Sequence, residues 1–159
     1  MTGFTHLNAA GEARMVDVGS KDVTQREAVA HSFVTLSPEV ITMLKTDGVP
    51  KGDALSVARI AAISGTKRTP DLIPLCHPIA IHGVDVDLSI TDTGVGIKVA
   101  VRTADRTGIE MEALTGAAVG ALALIDMVKG VDRMAAIEHV ELLEKSGGRS
   151  GHWRRSDHS

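Results

Sequence analysis

The chain has a single cysteine, no tyrosine, two phenylalanines and one tryptophan in 159 residues. Lone Cys76 rules out an internal disulfide and suits a reducing compartment. The shortage of rings excludes the aromatic stacking platforms on which single-strand nucleic-acid binders rely. Positive charge is scarce too: 17 Lys and Arg stand against 20 Asp and Glu, for a net charge of −3. A phosphate backbone demands a basic face, so no nucleic-acid partner is expected; a small anion needs only a local basic cluster. The first residues, Met-Thr-Gly-Phe-Thr-His, lack the basic start and apolar run of a signal peptide. The uncharged run Ala113–Ile125 covers 13 residues, short of the about 18–20 that span a bilayer. A cytoplasmic protein with no membrane partner is therefore expected.

What the chain does have is aliphatic: the apolar 43% is mostly Ala, Val, Leu and Ile. The length fits one domain, 1–159, with a real core and with 1–13 and 152–159 expected to be mobile. A short strand is predicted at Arg14–Val18 and another at Glu27–Leu36, where Val29, Phe33 and Val34 alternate loosely. Ser37-Pro38-Glu39 reads as a helix start, with Ser as cap and Pro at the first helical position, and Gly48 as its stop. A second helix, Ala54 to Arg68, has Asp53 as cap and Pro70 as terminator. Pro74 and Pro78 hold Leu75-Cys76-His77 extended. Val84, Val86, Leu88 and Ile90 alternate with Asp85 and Asp87, Asp92-Thr93-Gly94 turns the chain, and Val95–Val101 completes a hairpin. A helix over 110–129 and a strand over Ile137–Leu143 follow. This order predicts an α+β domain: a ferredoxin-like antiparallel sheet with helices on one face, plus an N-terminal strand addition.

Apolar on every side, the 110–129 helix must be buried on every side. One sheet layer covers only one flank, so a second subunit is the expected cover, with Gly116 and Gly120 letting two backbones approach. Carboxylates Glu110 and Glu112 stand at one end, and Asp126 and Lys129 at the other. Positions 112 and 126 lie within roughly 40° around the axis but about 20 Å apart along it. One chain cannot join them; two chains with antiparallel helices could. Spacing alone favours a plain surface pair of Asp126 with Lys129 and two acids complementing the helix dipole.

Lys51 sits at a helix mouth, where the dipole's positive end favours the neutral amine; a solvated loop lysine is the bland alternative. Cys76 and His77 are adjacent, with no second Cys or nearby His to complete a tetrahedral set, so no metal ligand is assigned. A rigid loop offering His77 to a ligand is the better reading. Lys145-Ser146-Gly147-Gly148-Arg149-Ser150-Gly151 is a basic glycine-rich loop suited to anions, although it lacks the Walker spacing.

Taken in order, several segments resemble the MoaC family, the cyclic pyranopterin monophosphate synthases of molybdenum cofactor biosynthesis. They are Met15-Val16-Asp17-Val18, Lys51-Gly52-Asp53, Leu72-Ile73-Pro74-Leu75-Cys76-His77-Pro78 and Val84-Asp85-Val86. Arg106-Thr107-Gly108, Glu110-Met111-Glu112-Ala113-Leu114-Thr115, Asp126-Met127-Val128-Lys129 and Leu142 to Gly151 complete the set. The resemblance implies conversion of 3′,8-cyclo-7,8-dihydroguanosine 5′-triphosphate to cyclic pyranopterin monophosphate with release of pyrophosphate. It implies a ferredoxin-like subunit in a hexamer, a trimer of dimers, with sites at subunit interfaces. Lys51 and Lys129 would be the acid–base residues and Asp126 would orient Lys129. His77, Glu110 and Glu112, with neighbours Cys76 and Met111, would hold the guanine-derived ring and sugar. Arg26, Lys67, Arg68 and Lys145 would face the triphosphate. No cofactor is assigned, beyond Mg²⁺ that the triphosphate could bring with it. Ile125 and Val128 stand where the family often has Tyr and Cys. Two other function classes fit the bare residues: a metal-dependent nucleotide cyclohydrolase using Cys76 and His77, and a non-catalytic nucleotide-binding module.

Overall fold

The computed structural model describes residues 6–156. Its elements run β1 (Thr24–Thr35), α1 (Pro38–Lys45), α2 (Ala54–Thr66), α3 (Thr69–Leu72), β2 (Gly83–Ile90), β3 (Gly94–Asp105), α4 (Glu110–Val128), β4 (Ala136–Ser146) and β5 (Trp153–Arg154). The strands form one antiparallel sheet in the order β2-β3-β1-β4-β5. With α2 and α4 packed on one face, this is the expected α+β, ferredoxin-like arrangement.

Local signals set the element ends. Ser37 caps α1 by accepting from the Val40 N–H, with Pro38 in the first turn. Asp53 caps α2, accepting from Ser56 N at 2.9 Å. Such a cap is worth about 1 kcal/mol. Helix α2 stops at Thr66, two residues short of the expected Arg68, and Pro70 lies inside the one-turn α3 instead of ending α2. Proline fits a first helical turn because its missing N–H has no partner to lose there.

The sheet has two unlike faces. Ala28, Ala30, Ser32 and Val34 of β1 are buried under α4, and the Ser32 hydroxyl donates to Ala117 O at 2.9 Å. The intervening Val29, His31, Phe33 and Thr35 look away from the helices and are only part-buried. Alternation on a pleated strand dictates this division.

Three expectations need correction. Arg14–Val18 pairs with no strand; the only ladder contact among described residues before β1 is an isolated bridge between Leu7 and Ala13. Within the segment, the Val16 carbonyl is engaged by the His77 ring and the Val18 carbonyl by the Lys21 N–H. The fifth strand lies at the other end, where Trp153–Arg154 pairs with Lys145 and Glu144 of β4. The expected tails lie partly outside the described residues, at 1–5 and 157–159.

The third correction concerns Gly116 and Gly120. They serve helix α2 of the same chain: a Cβ at 116 would lie 2.6 Å from Thr66 Cγ2, and one at 120 would lie 3.1 Å from Ala62 Cβ. Gly65 of α2 answers from the other side, 2.8 Å from Val119 Cβ by the same construction. Small residues on both helices bring their axes together. Helix α4, at 19 residues, is long and apolar enough by composition to cross a membrane, which the 13-residue uncharged run understated. It is half buried between the sheet and α2, as the core helix of a folded domain is.

Candidate active site

Both ends of α4 carry ionisable groups, and their surroundings differ. At the C-terminal end, the Lys129 ammonium lies 2.6 Å from Asp126 Oδ1, an i, i+3 pair. Lys51 reaches the same carboxylate from the α1–α2 loop, 3.4 Å from Asp126 Oδ2, and donates to the Asp126 main-chain oxygen at 2.7 Å. Gly52, at φ +100°, makes the turn that presents Lys51 and leads into Asp53, the cap of α2. The loop lysine thus faces the negative end of α4 instead of an empty helix mouth. The hydrogen bond and charge of Lys129, then those of Lys51, hold the Asp126 carboxyl below its ordinary range. All three side chains remain about half exposed, at 48%, 57% and 59% for Lys51, Asp126 and Lys129. A substrate can therefore reach both amines.

The N-terminal end is a cavity of about 370 Å³ lined by Cys76, His77, Glu110, Met111 and Glu112. Glu112 is 2% exposed. Burial pushes its carboxyl up from 4.5 to about 7; a backbone N–H opposes the shift and the nearby Glu110 adds to it. Desolvation outweighs the helix dipole here. Burial, and then Glu112, raise the Cys76 thiol as well. The His77 Nε2 lies 2.7 Å from Val16 O. A carbonyl can only accept, so Nε2 carries a proton that it donates to Val16 O. With Nε2 committed to a carbonyl and the thiol held protonated, Cys76 and His77 make a poor metal pair.

The glycine-rich loop closes beside this cavity. Lys145 Nζ is 2.9 Å from Glu110 Oε1 and 2.8 Å from Ser150 Oγ. Gly147 and Gly148 adopt φ +91° and +72°, and Gly148 passes so close to the Arg26 guanidinium that a side chain there would collide with it. Arg26 Nε donates to Asp105 O at 3.0 Å. Arg26, Glu110 and Lys145 thereby line one small cleft. Lys67 and Arg68 do not join it: Lys67 is the C-cap of α2, and Arg68 pairs with Asp71 at 3.8 Å.

Sequence reasoning missed the N-terminal wall of the cavity. Val16, Val18 and Lys21 line it, and Arg106 holds this segment by donating to Gly19 O at 2.7 Å. Reading Arg14–Val18 as a strand hid this role; the Met15-Val16-Asp17-Val18 motif was the available signal.

The two ends are not one site within a chain. Fourteen helical residues put Glu112 and Asp126 about 21 Å apart along the axis. The fold and these groups define a ferredoxin-like α+β protein with two lysines paired on one exposed carboxylate and a separate carboxylate-lined cavity. Comparison with known proteins specifies this further: residues 15–148 match the MoaC family. A cyclic pyranopterin monophosphate synthase of Streptomyces avermitilis is 59% identical over 153 residues, covering 96% of this chain and 90% of the relative. Proteins of the same name from Thermomicrobium roseum and Corynebacterium glutamicum are each 50% identical, covering 99% and 96% of this chain and 96% and 98% of the relatives. The chain belongs to the MoaC family.

Proposed function

We propose that this chain converts 3′,8-cyclo-7,8-dihydroguanosine 5′-triphosphate to cyclic pyranopterin monophosphate and pyrophosphate, an early step of molybdenum cofactor biosynthesis. The observation that carries the reading is the convergence of Lys51 and Lys129 on Asp126, two exposed amines held by one carboxylate. The reaction moves protons at several centres while a ring is opened and rebuilt, and two positioned lysines can give and take them. A sugar oxygen closes on the α-phosphorus, the α–β phosphoanhydride P–O bond breaks, and pyrophosphate leaves with the bonding electrons. Lys145 and Arg26 beside the glycine loop suit the charge on that leaving group. Lys67 and Arg68 would contribute only from a neighbouring subunit. His77 and Glu112 suit the polar edge of the guanine-derived ring, with Cys76 and Met111 along the wall. No step is assigned to a resident metal; Mg²⁺ would enter with the triphosphate oxygens.

The same reading makes the active site intermolecular. Glu112 and His77 of one subunit would face Lys51, Asp126 and Lys129 of another, in a hexamer built as a trimer of dimers from one-domain chains. Exposed Ile60 and Leu122, 67% and 58% accessible on the outer side of α2 and α4, favour a covered helix layer. A cytoplasmic location fits the single free thiol.

The test supplies the cyclic triphosphate and follows pyrophosphate and pterin formation together. Wild-type turnover with loss in Lys51→Ala is expected; absence of turnover in the wild type overturns the reading. Mixing inactive Lys51→Ala and Glu112→Ala chains, with subunit exchange, then regenerates about a quarter of wild-type activity if each site spans a symmetric dimer. No recovery in chains shown to exchange would place the site within one subunit.

A further inference from the structure

The sheet face turned away from the helices carries a group that the proposed reaction does not use. His31 on β1 and His139 and Glu141 on β4 project there together. Register explains the grouping: His31 pairs with Glu141, and His139 stands two residues away, opposite Phe33. His31 Nδ1 and His139 Nε2 are 3.0 Å apart, and Glu141 Oε1 is 4.0 Å from His139 Nε2. One potential donor atom from each residue falls within 4.8 Å of the others.

From this geometry we propose that His31, His139 and Glu141 bind one first-row divalent cation of the zinc class. Two imidazole nitrogens bound at about 2.1 Å to a common ion are about 3.0 Å apart at a right angle and about 3.4 Å apart at the tetrahedral angle. The observed separation already sits at the start of that range. Rotation of the Glu141 side chain brings in the carboxylate, and a fourth position stays open to water or an anion. Two imidazoles and one carboxylate suit zinc and its neighbours better than calcium or magnesium, which take oxygen ligands.

The surroundings hold these side chains in place. The His31 ring lies over Gly96 of β3, where a Cβ would be 2.9 Å from His31 Nε2. Phe33 stacks on His139 with ring planes 17° apart. Arg155 Nε sits 3.4 Å from Glu141 Oε2, leaving Oε1 toward the histidines. Such outer contacts orient ligands. Two cations oppose binding, Arg155 and the Lys98 that pairs with His31 across β1 and β3. Lys98 is solvent-exposed, which screens it.

The full-length protein, stripped with chelator, is dialysed against Zn²⁺ and assayed for bound metal, with Co²⁺ absorption reporting the ligand type. One equivalent per chain and a Co²⁺ spectrum with nitrogen ligation are expected. His31→Ala and His139→Ala each weaken binding by about tenfold to a hundredfold or more, the loss that even outer-shell partners cause. Glu141→Gln weakens it while keeping side-chain size, and it decides the matter if the histidine variants fail to fold. Cys76→Ser with His77→Ala retains the equivalent. Substoichiometric Zn²⁺, binding unchanged in a folded ligand variant, or loss in the Cys76/His77 variant each overturns the proposal.

Discussion

The two ends of α4 place carboxylates in opposite physical situations. Asp126 is half exposed, held by two ammonium groups and kept below its ordinary range. Glu112 is buried in a cavity wall with Glu110 as its nearest charged influence, and is pushed up to about 7. Both are carboxyl groups on one helix, so solvent and partners make the difference. The lesson is a division of labour: paired charge in reach of solvent at one end, and at the other a carboxyl that can be neutral near physiological pH. The first suits proton transfer by lysine, the second recognition of a ring edge by a group able to donate as well as accept.

The largest test of that contrast is removal of the amines. Lys51→Ala or Lys129→Ala is expected to lower kcat by about 10²- to 10⁴-fold, the usual worth of a positioned acid or base. Both chains should keep their wild-type urea midpoint, because exposed ion pairs add little stability. Near-normal turnover in either variant would remove the lysines from the chemistry.

At the other end the effect belongs to folding. Glu112 has a folded value raised above its unfolded one, so the folded state holds this proton more tightly. Its contribution is fully present below about 4.5 and is lost as pH rises to about 7. The difference amounts to something on the order of 3 kcal/mol. Urea unfolding between those two pH values should show stability falling with pH in the wild type, and a flatter profile in Glu112→Gln. Equal slopes would show that Glu112 is not perturbed.

Smaller effects sharpen the role of the helix between its ends. Gly116→Val drives a side chain into Thr66 and Val99 and is expected to cost about 1–3 kcal/mol by overpacking, read from chemical denaturation. A neutral result would mean that α2 and α4 are not in close contact. The mildest change is Lys145→Met. Its pair with Glu110 is about one-quarter exposed, and less than about 1 kcal/mol of stability should be lost. Substrate KM should rise while the urea midpoint barely moves; an unchanged KM would detach Lys145 from the triphosphate.

Much of this was legible from residue order. Ser37 and Asp53 announced their helices because a cap is a contact between residues three apart. The Asp92-Thr93-Gly94 turn announced β2 and β3 for the same reason. Lys51 to Asp126 was not legible from spacing, since 75 residues separate them. Gly116 and Gly120 signalled a close approach without naming the partner, and an intermolecular partner was the wrong choice. Segment 14–18 was read as a short strand, yet its partners are His77 and the cavity, and local sequence cannot say which edge, if any, a segment joins.

By itself the sequence determined the order of the four long strands and the helices α1, α2 and α4, the helix caps, the family and the residues able to do acid–base chemistry. These depend on side-chain identity and on interactions a few residues long. Tertiary structure alone decided that α2 fills the glycine groove of α4 and that Lys51 reaches Asp126. It also decided that Glu112 loses its solvent, and that His31 meets His139 across 108 residues of chain. Such contacts follow from strand register and helix packing, where distance in space is unrelated to distance along the chain.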